Sequence, residues 1–134
     1  MNFQKILLVD DDEDDRAIMI EAITEIDNHI NCICLVQGLE AINYLNQHKR
    51  SLPDHIFLDL NMPLMNGKDF LKEMKSDENL RHIPVTIYST SKQMKDVEET
   101  KNLGASNFIS KPTSFTLLKD EIRRVLQLSP VFSY

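Results

Sequence analysis

The sequence predicts an α/β protein built on a doubly wound, five-stranded parallel sheet with helices on both faces. Three observations carry this reading. Five short apolar runs alternate with longer segments of helical period. Three of the runs, ILLV, IFL and FI, are continuously hydrophobic, as strands covered on both faces must be. Strands alternating with helices require right-handed crossovers, which make neighbouring strands parallel. With 134 residues, against roughly 100–200 per domain, the chain holds one domain. At this size roughly two-thirds of the unfolded surface is buried on folding, enough for a core without disulfides.

The expected strands are Lys5–Asp10, Asn31–Val36, His55–Asp59, Val85–Ser89 and Asn107–Ser110. The first helix follows the first strand, with Met19, Ala22, Ile23 and Ile26 spaced as one apolar stripe. Gly38 precedes a second helix carrying Ala41, Ile42 and Leu45. A third runs from about Lys68 to Lys75 and offers Phe70, Leu71 and Met74 to the core. The fourth segment, Lys92 to Leu103, has only Met94, Val97 and Leu103 among many charges, so it should pack weakly and move more than the rest. Gly104 stands where a left-handed residue ends a helix. The last helix, Phe115 to Leu126, buries Leu118, Ile122 and Val125 behind a Ser114 cap.

Composition narrows the function classes. Hydrophobic residues make up 42% and charged ones 27%, the profile of a globular chain. The net charge is −6, and Asp10 to Asp15 form a run of six acids whose removal leaves the remainder neutral. The acidity is therefore local, which argues for a cation site. No basic patch argues for direct nucleic-acid binding. The longest apolar run near the start is four residues, too short for a signal peptide or membrane span, so a cytoplasmic location is expected. Cys32 and Cys34 are spaced to share one face of a strand, which suits packing and fits neither redox nor zinc motifs. His29, His48, His55 and His82 form no ligand pair and are expected at the surface.

In parallel sheets of this kind, ligands gather beyond the carboxyl ends of the strands. That rule selects Asp10 and Asp11, Asp59, Ser89 and Thr90, and Lys111. Carboxylates, hydroxyls and an ammonium at one rim are the parts of a magnesium-assisted phosphate site. With three glycines in the chain, no glycine-rich phosphate cradle is present.

Taken in order, Val9-Asp10-Asp11, Asp59-Leu60-Asn61-Met62-Pro63 with Gly67, Ser89-Thr90-Ser91, Gly104-Ala105 and Lys111-Pro112 resemble the receiver domain of bacterial two-component response regulators. The likeness runs from about Lys5 to Leu126. It implies the flavodoxin-like strand order 2-1-3-4-5, for which a chemotaxis regulator of this family is itself the standing example. It also implies a receiver over residues 1–127 and a short tail over 128–134. Asp59 would accept a phosphoryl group from a phosphohistidine. Asp10, Asp11, Asp59 and the Asn61 carbonyl would hold Mg2+, with Asp10 acting through a water. Lys111 and Ser89 would contact phosphoryl oxygens, beside Thr90. Ser89 and Phe108 would form the conformational switch, and the fourth helix, fifth strand and last helix its moving surface.

The resemblance further implies a sensor histidine kinase or histidine phosphotransfer protein as partner, an unidentified downstream protein, and a monomer or homodimer. The protein would catalyse only its own phosphorylation and dephosphorylation. Thr90 is bulkier than the alanine or glycine frequent in the family and is expected to slow access to Asp59. The stretch Ser76–Ile83 resembles stand-alone regulators associated with phytochrome-type kinases. The isomer of the Lys111–Pro112 bond is left open. With eight residues after Leu126, no output domain is expected.

Plainer readings compete at some positions. Asp14 and Asp15 suit the first turn of a helix, where free N–H groups and the dipole favour acids, and Glu13 is expected to be solvated. Asp10, Asp12, Asp14 and Glu21 fall at calcium-loop positions, but the required glycine is replaced by Asp15. Asn61-Met62-Pro63 could be an ordinary turn were it not beside Asp59. Two other functions compete with this one. A receiver-like interaction module that takes no phosphate is opposed by intact Asp10, Asp11, Asp59, Ser89 and Lys111. A magnesium-dependent hydrolase with an aspartyl nucleophile is opposed by loops too short for a cap.

Overall fold

The computed structural model describes residues 5–127; the tail expected over 128–134 lies outside them. Five strands, β1 (Lys5–Val9), β2 (Asn31–Leu35), β3 (His55–Leu58), β4 (Val85–Ser89) and β5 (Asn107–Ser110), alternate with five helices. The helices are α1 (Glu13–Ile26), α2 (Gly38–Gln47), α3 (Gly67–Ser76), α4 (Met94–Asn102) and α5 (Phe115–Val125). The sheet order is β2-β1-β3-β4-β5 and every pairing is parallel. Fold class and strand order therefore match expectation. β1, β2 and β3 each stop one residue short of the acid or valine assigned to their ends, within the usual scatter of element boundaries.

The period of two along each strand divides the interior into two cores. On one face, Leu7, Val9, Ile56, Leu58, Val85 and Ile87 pack against the apolar stripes of α2 and α3. On the other, Ile6, Leu8, Phe57, Tyr88 and Ile109 pack against Met19, Ala22 and Ile23 of α1 and Leu118, Ile122 and Val125 of α5. Burying both faces of β3 and β4 explains why their residues are buried without interruption. Cys32 and Cys34 do share a face, the α1/α5 side, although on this edge strand they are only partly buried.

Helix ends follow local chemistry. Asp12 caps α1, its carboxylate accepting from the Asp15 amide, while Glu13, Asp14 and Asp15 occupy the first turn. Asn66 caps α3 and Ser114 caps α5 in the same way. α4 is shorter than expected, and Thr100 is its one buried residue; Met94 is exposed. Gly104 ends that segment at φ +107°, a conformation that favours glycine. Lys111–Pro112 is trans, since no peptide bond among the described residues is cis.

One expectation fails. His55 is not at the surface: it is 2% exposed, and its Nε2 lies 2.7 Å from Thr86 Oγ1. As the first residue of β3, between β1 and β4, it is covered on both sides, and Thr86, which pairs with Phe57 two residues further along β3, reaches back to supply the polar partner that burial requires. His29, His48 and His82 are exposed as expected. No helix among the described residues is long and apolar enough to cross a membrane.

Candidate functional site at the carboxyl rim of the sheet

The central strands β1 and β3 end side by side, and the residues just beyond them are fixed by continuing the ladder. The Asp10 amide donates to Leu35 O at 3.1 Å and the Asp59 amide to Val9 O at 2.9 Å. Both side chains are thereby delivered to one point and buried, at 5% and 6% exposure. Asp11 lies beside them at the surface, and one carboxylate oxygen from each of Asp10, Asp11 and Asp59 falls within a 4.8 Å cluster. Asp10 is held further by the Asp12 amide, which donates to its Oδ1 at 2.9 Å, and by Arg16, which donates to its carbonyl at 2.8 Å.

Lys111 reaches this cluster from the end of β5. Its amide donates to Ser89 O at 2.7 Å, so the β4–β5 ladder sets its root. Its ammonium lies 3.2 Å from Asp10 Oδ2, 3.8 Å from Asp59 Oδ1 and 2.5 Å from Asp15 Oδ2, and 4.9 Å from the centre of the buried Tyr88 ring. Ser89 is fully buried, and its hydroxyl oxygen accepts from the Ser91 amide at 3.1 Å. Thr90 and Asn61 are exposed on the rim. Phe108 is half-buried on β5 and borders an open groove of about 300 Å³ together with Val97, Thr100 and Ala105.

Electrostatics sharpen the picture. Burial, and then the neighbouring Asp10, push the Asp59 carboxyl up to about 6. Burial likewise raises Asp10, against the opposing pull of the Asp12 amide and Lys111. Burial alone would lower Lys111, yet its hydrogen bond to Asp15 and the charges of Asp10 and Asp59 outweigh it and leave the ammonium firmly protonated. A cluster of hard carboxylate oxygens with frustrated charge is the donor set a small divalent cation satisfies, so the residues present fit magnesium.

The rim thus assembles Asp10, Asp11, Asp59 and Lys111, with Ser89 one strand away. Two participants escape sequence reasoning. Asp15 reads as a helix-start acid, which it is, but the first turn of α1 also places it on Lys111. Tyr88 reads as a core residue. Its ring under the ammonium is visible only once β4 and β5 are paired in register.

Comparison with known proteins bears on the family of the whole chain. The profile of the response regulator receiver domain matches residues 6–123. Sporulation initiation phosphotransferase F of Bacillus subtilis (strain 168) is 31% identical over 126 residues, covering 93% of this chain and 95% of that protein. Chemotaxis protein CheY-3 of Vibrio cholerae is 30% identical over 123 residues, 92% of each. Among solved structures, the phosphorylated cyanobacterial phytochrome response regulator RcpA superposes with a TM-score of 0.84 at 32% identity, over 94% of this chain and 93% of that one. The Mn(2+)-bound form of response regulator Rcp1 gives 0.81 at 29% identity, over 93% of each. A five-stranded parallel sheet, an acidic rim and a family match across most of its length together make this chain a member of the response regulator receiver domain family.

Proposed function

We propose that this chain is a stand-alone response regulator, with its receiver spanning residues 1–127, that accepts a phosphoryl group on Asp59 in the cytoplasm. The observation that carries the reading is the buried Asp59 carboxylate, clustered with Asp10 and Asp11 and 3.8 Å from the Lys111 ammonium. In the transfer, an Asp59 carboxylate oxygen forms a bond to phosphorus as the bond from phosphorus to the donor histidine nitrogen breaks. Such transfers depend on alignment and on neutralising oxygen charge far more than on covalent help.

Asp10, Asp11, Asp59 and the Asn61 carbonyl would hold Mg2+, with Asp10 acting through a water, and the ion when bound neutralises charge on the rim and on the phosphoryl oxygens. Lys111 supplies a fixed ammonium to one phosphoryl oxygen. Ser89 turns its hydroxyl to another and gives up the bond from the Ser91 amide. Thr90, exposed beside the acceptor, restricts access and slows exchange with small donors. Ser89 leaving its present position opens space toward which the Phe108 ring turns inward, and the surface of α4, β5 and α5 changes with it. Phosphorylation shifts an equilibrium between two arrangements by their difference in contacts. The donor is a sensor histidine kinase or a histidine phosphotransfer protein, and the output is a protein contact or onward relay by a monomer or homodimer.

Incubation with acetyl phosphate and Mg2+ should add one phosphoryl group per chain by intact-mass spectrometry. Asp59→Asn, or removal of magnesium with EDTA, should abolish the addition. An unmodified wild-type chain under these conditions would favour an interaction module that works without phosphate. Turnover of a phosphate ester far beyond one per chain would favour a hydrolase.

A further inference from the structure

The Lys111 ammonium has three carboxylates within reach and is closest to the one that belongs to no phosphate site. It lies 2.5 Å from Asp15, against 3.2 Å from Asp10 and 3.8 Å from Asp59. Resting on the reading of Asp59 as phosphoryl acceptor, we propose that Asp15 is a positioning residue. In the unphosphorylated protein it holds the Lys111 ammonium back from Asp59, and it competes with the incoming phosphoryl group for that ammonium.

Both partners are anchored. The backbone of Asp15 is fixed in the first turn of α1 by the Asp12 cap. Lys111 is rooted by its amide bond to Ser89 and lies over the Tyr88 ring. The lysine side chain is 11% exposed and that of Asp15 26%, so the pair is shielded from solvent far better than an ordinary surface ion pair.

The competition follows from charge. With Asp59 unmodified, the ammonium chooses among three single negative charges and settles on the best-placed hydrogen bond, Asp15. A phosphoryl group on Asp59 brings up to two negative charges and three strong acceptor oxygens, enough to draw the ammonium across. Every contact it retains with Asp15 is then lost to the phosphoryl group. Neutralising Asp15 removes the competitor and leaves Lys111 and Asp59 intact.

The test is a titration with beryllofluoride and Mg2+, followed by NMR, on the full chain. Asp15→Asn should bind beryllofluoride roughly threefold to tenfold more tightly than wild type, about the net worth of one ordinary hydrogen bond. Asp15→Glu should restore wild-type affinity. Asp14→Asn, which removes an exposed charge from the same helix turn, should leave it unchanged. In the unliganded, metal-free protein, the Lys111 side-chain 15N resonance should move in Asp15→Asn and stay in place in Asp14→Asn. Unchanged or weaker beryllofluoride binding by Asp15→Asn, or an equal gain from Asp14→Asn, would overturn the proposal while leaving the acceptor role of Asp59 standing. A wild-type chain that takes no beryllofluoride would overturn both together.

Discussion

His55 Nε2 and Thr86 Oγ1 meet at 2.7 Å across β3 and β4, in a part of the sheet where both residues are out of contact with water. Burial drives the imidazole down to about 4 from its usual 6.5, so it is neutral at physiological pH. The pair also shows how a central strand of a parallel sheet can begin with a polar residue: the neighbouring strand supplies a hydroxyl from the position paired with Phe57, on the same face of the sheet.

The pair makes stability sensitive to acid in a defined window. Between pH 6.5 and 4 the unfolded chain protonates this histidine and the native state does not, so the unfolded state binds more protons and stability falls as pH falls. The upper bound is about 3 kcal/mol, lost progressively across that window. Asp59 works in the opposite sense. Its native value of about 6 lies above that of the unfolded chain, so the native state binds more protons there, and stability contributed by its protonated form is lost as pH rises through 6. The difference between wild type and His55→Gln isolates the histidine. In metal-free urea melts from pH 7 to 4, the variant should lose less stability than wild type. Parallel curves would refute the assignment.

The failed expectation for His55 and the success at the rim have the same physical origin. Asp10, Asp59, Ser89 and Lys111 were legible because each directly follows or closes an apolar run, and strand ends in a parallel sheet converge whatever the details of packing. The two cores were legible from the strides of α1, α2, α3 and α5. His55 also stands next to an apolar run, but at its amino end, where sequence carries no sign of whether the neighbouring strand will cover it. The Thr86 partner is 31 positions away. The Asp15–Lys111 contact spans 96 positions and depends on the angle at which α1 leaves the rim, which local pattern does not encode.

Gly67 is required by the close approach of α3 to the end of β3. A Cβ there would stand 2.4 Å from Asp59 O and 2.7 Å from Leu60 Cα, both backbone atoms that cannot swing aside. Gly67→Ala must therefore push α3 off the end of β3, at a cost of about 1–3 kcal/mol, and it moves the backbone that carries Asp59. The urea midpoint should fall, and Mg2+ affinity should fall with it. A stable variant with unchanged Mg2+ binding would contradict this geometry.

α4 buries little and is tied down by charge instead. Lys68 on α3 donates to Asp96 and Glu99 at 2.8 Å each, and Ser91 donates to the other oxygen of Asp96. The Ser91 amide in turn donates to Ser89 Oγ, and Ser110 donates to the Ser91 carbonyl. The lysine therefore restrains both the helix and the loop that holds the Ser89 hydroxyl. Because the ion pairs are partly solvated, their loss should barely change global stability, while local opening of a helix with so little apolar burial should respond. In Lys68→Met, amides of α4 and of residues 90–93 should exchange roughly twofold to fivefold faster, with α1 and α2 unaffected and the melting temperature close to wild type. In high salt the wild-type exchange rates should approach those of the variant, since screening weakens the same contacts. Equal exchange in the two proteins at low salt would show that packing of Thr100 and Leu103, and not Lys68, holds α4 in place.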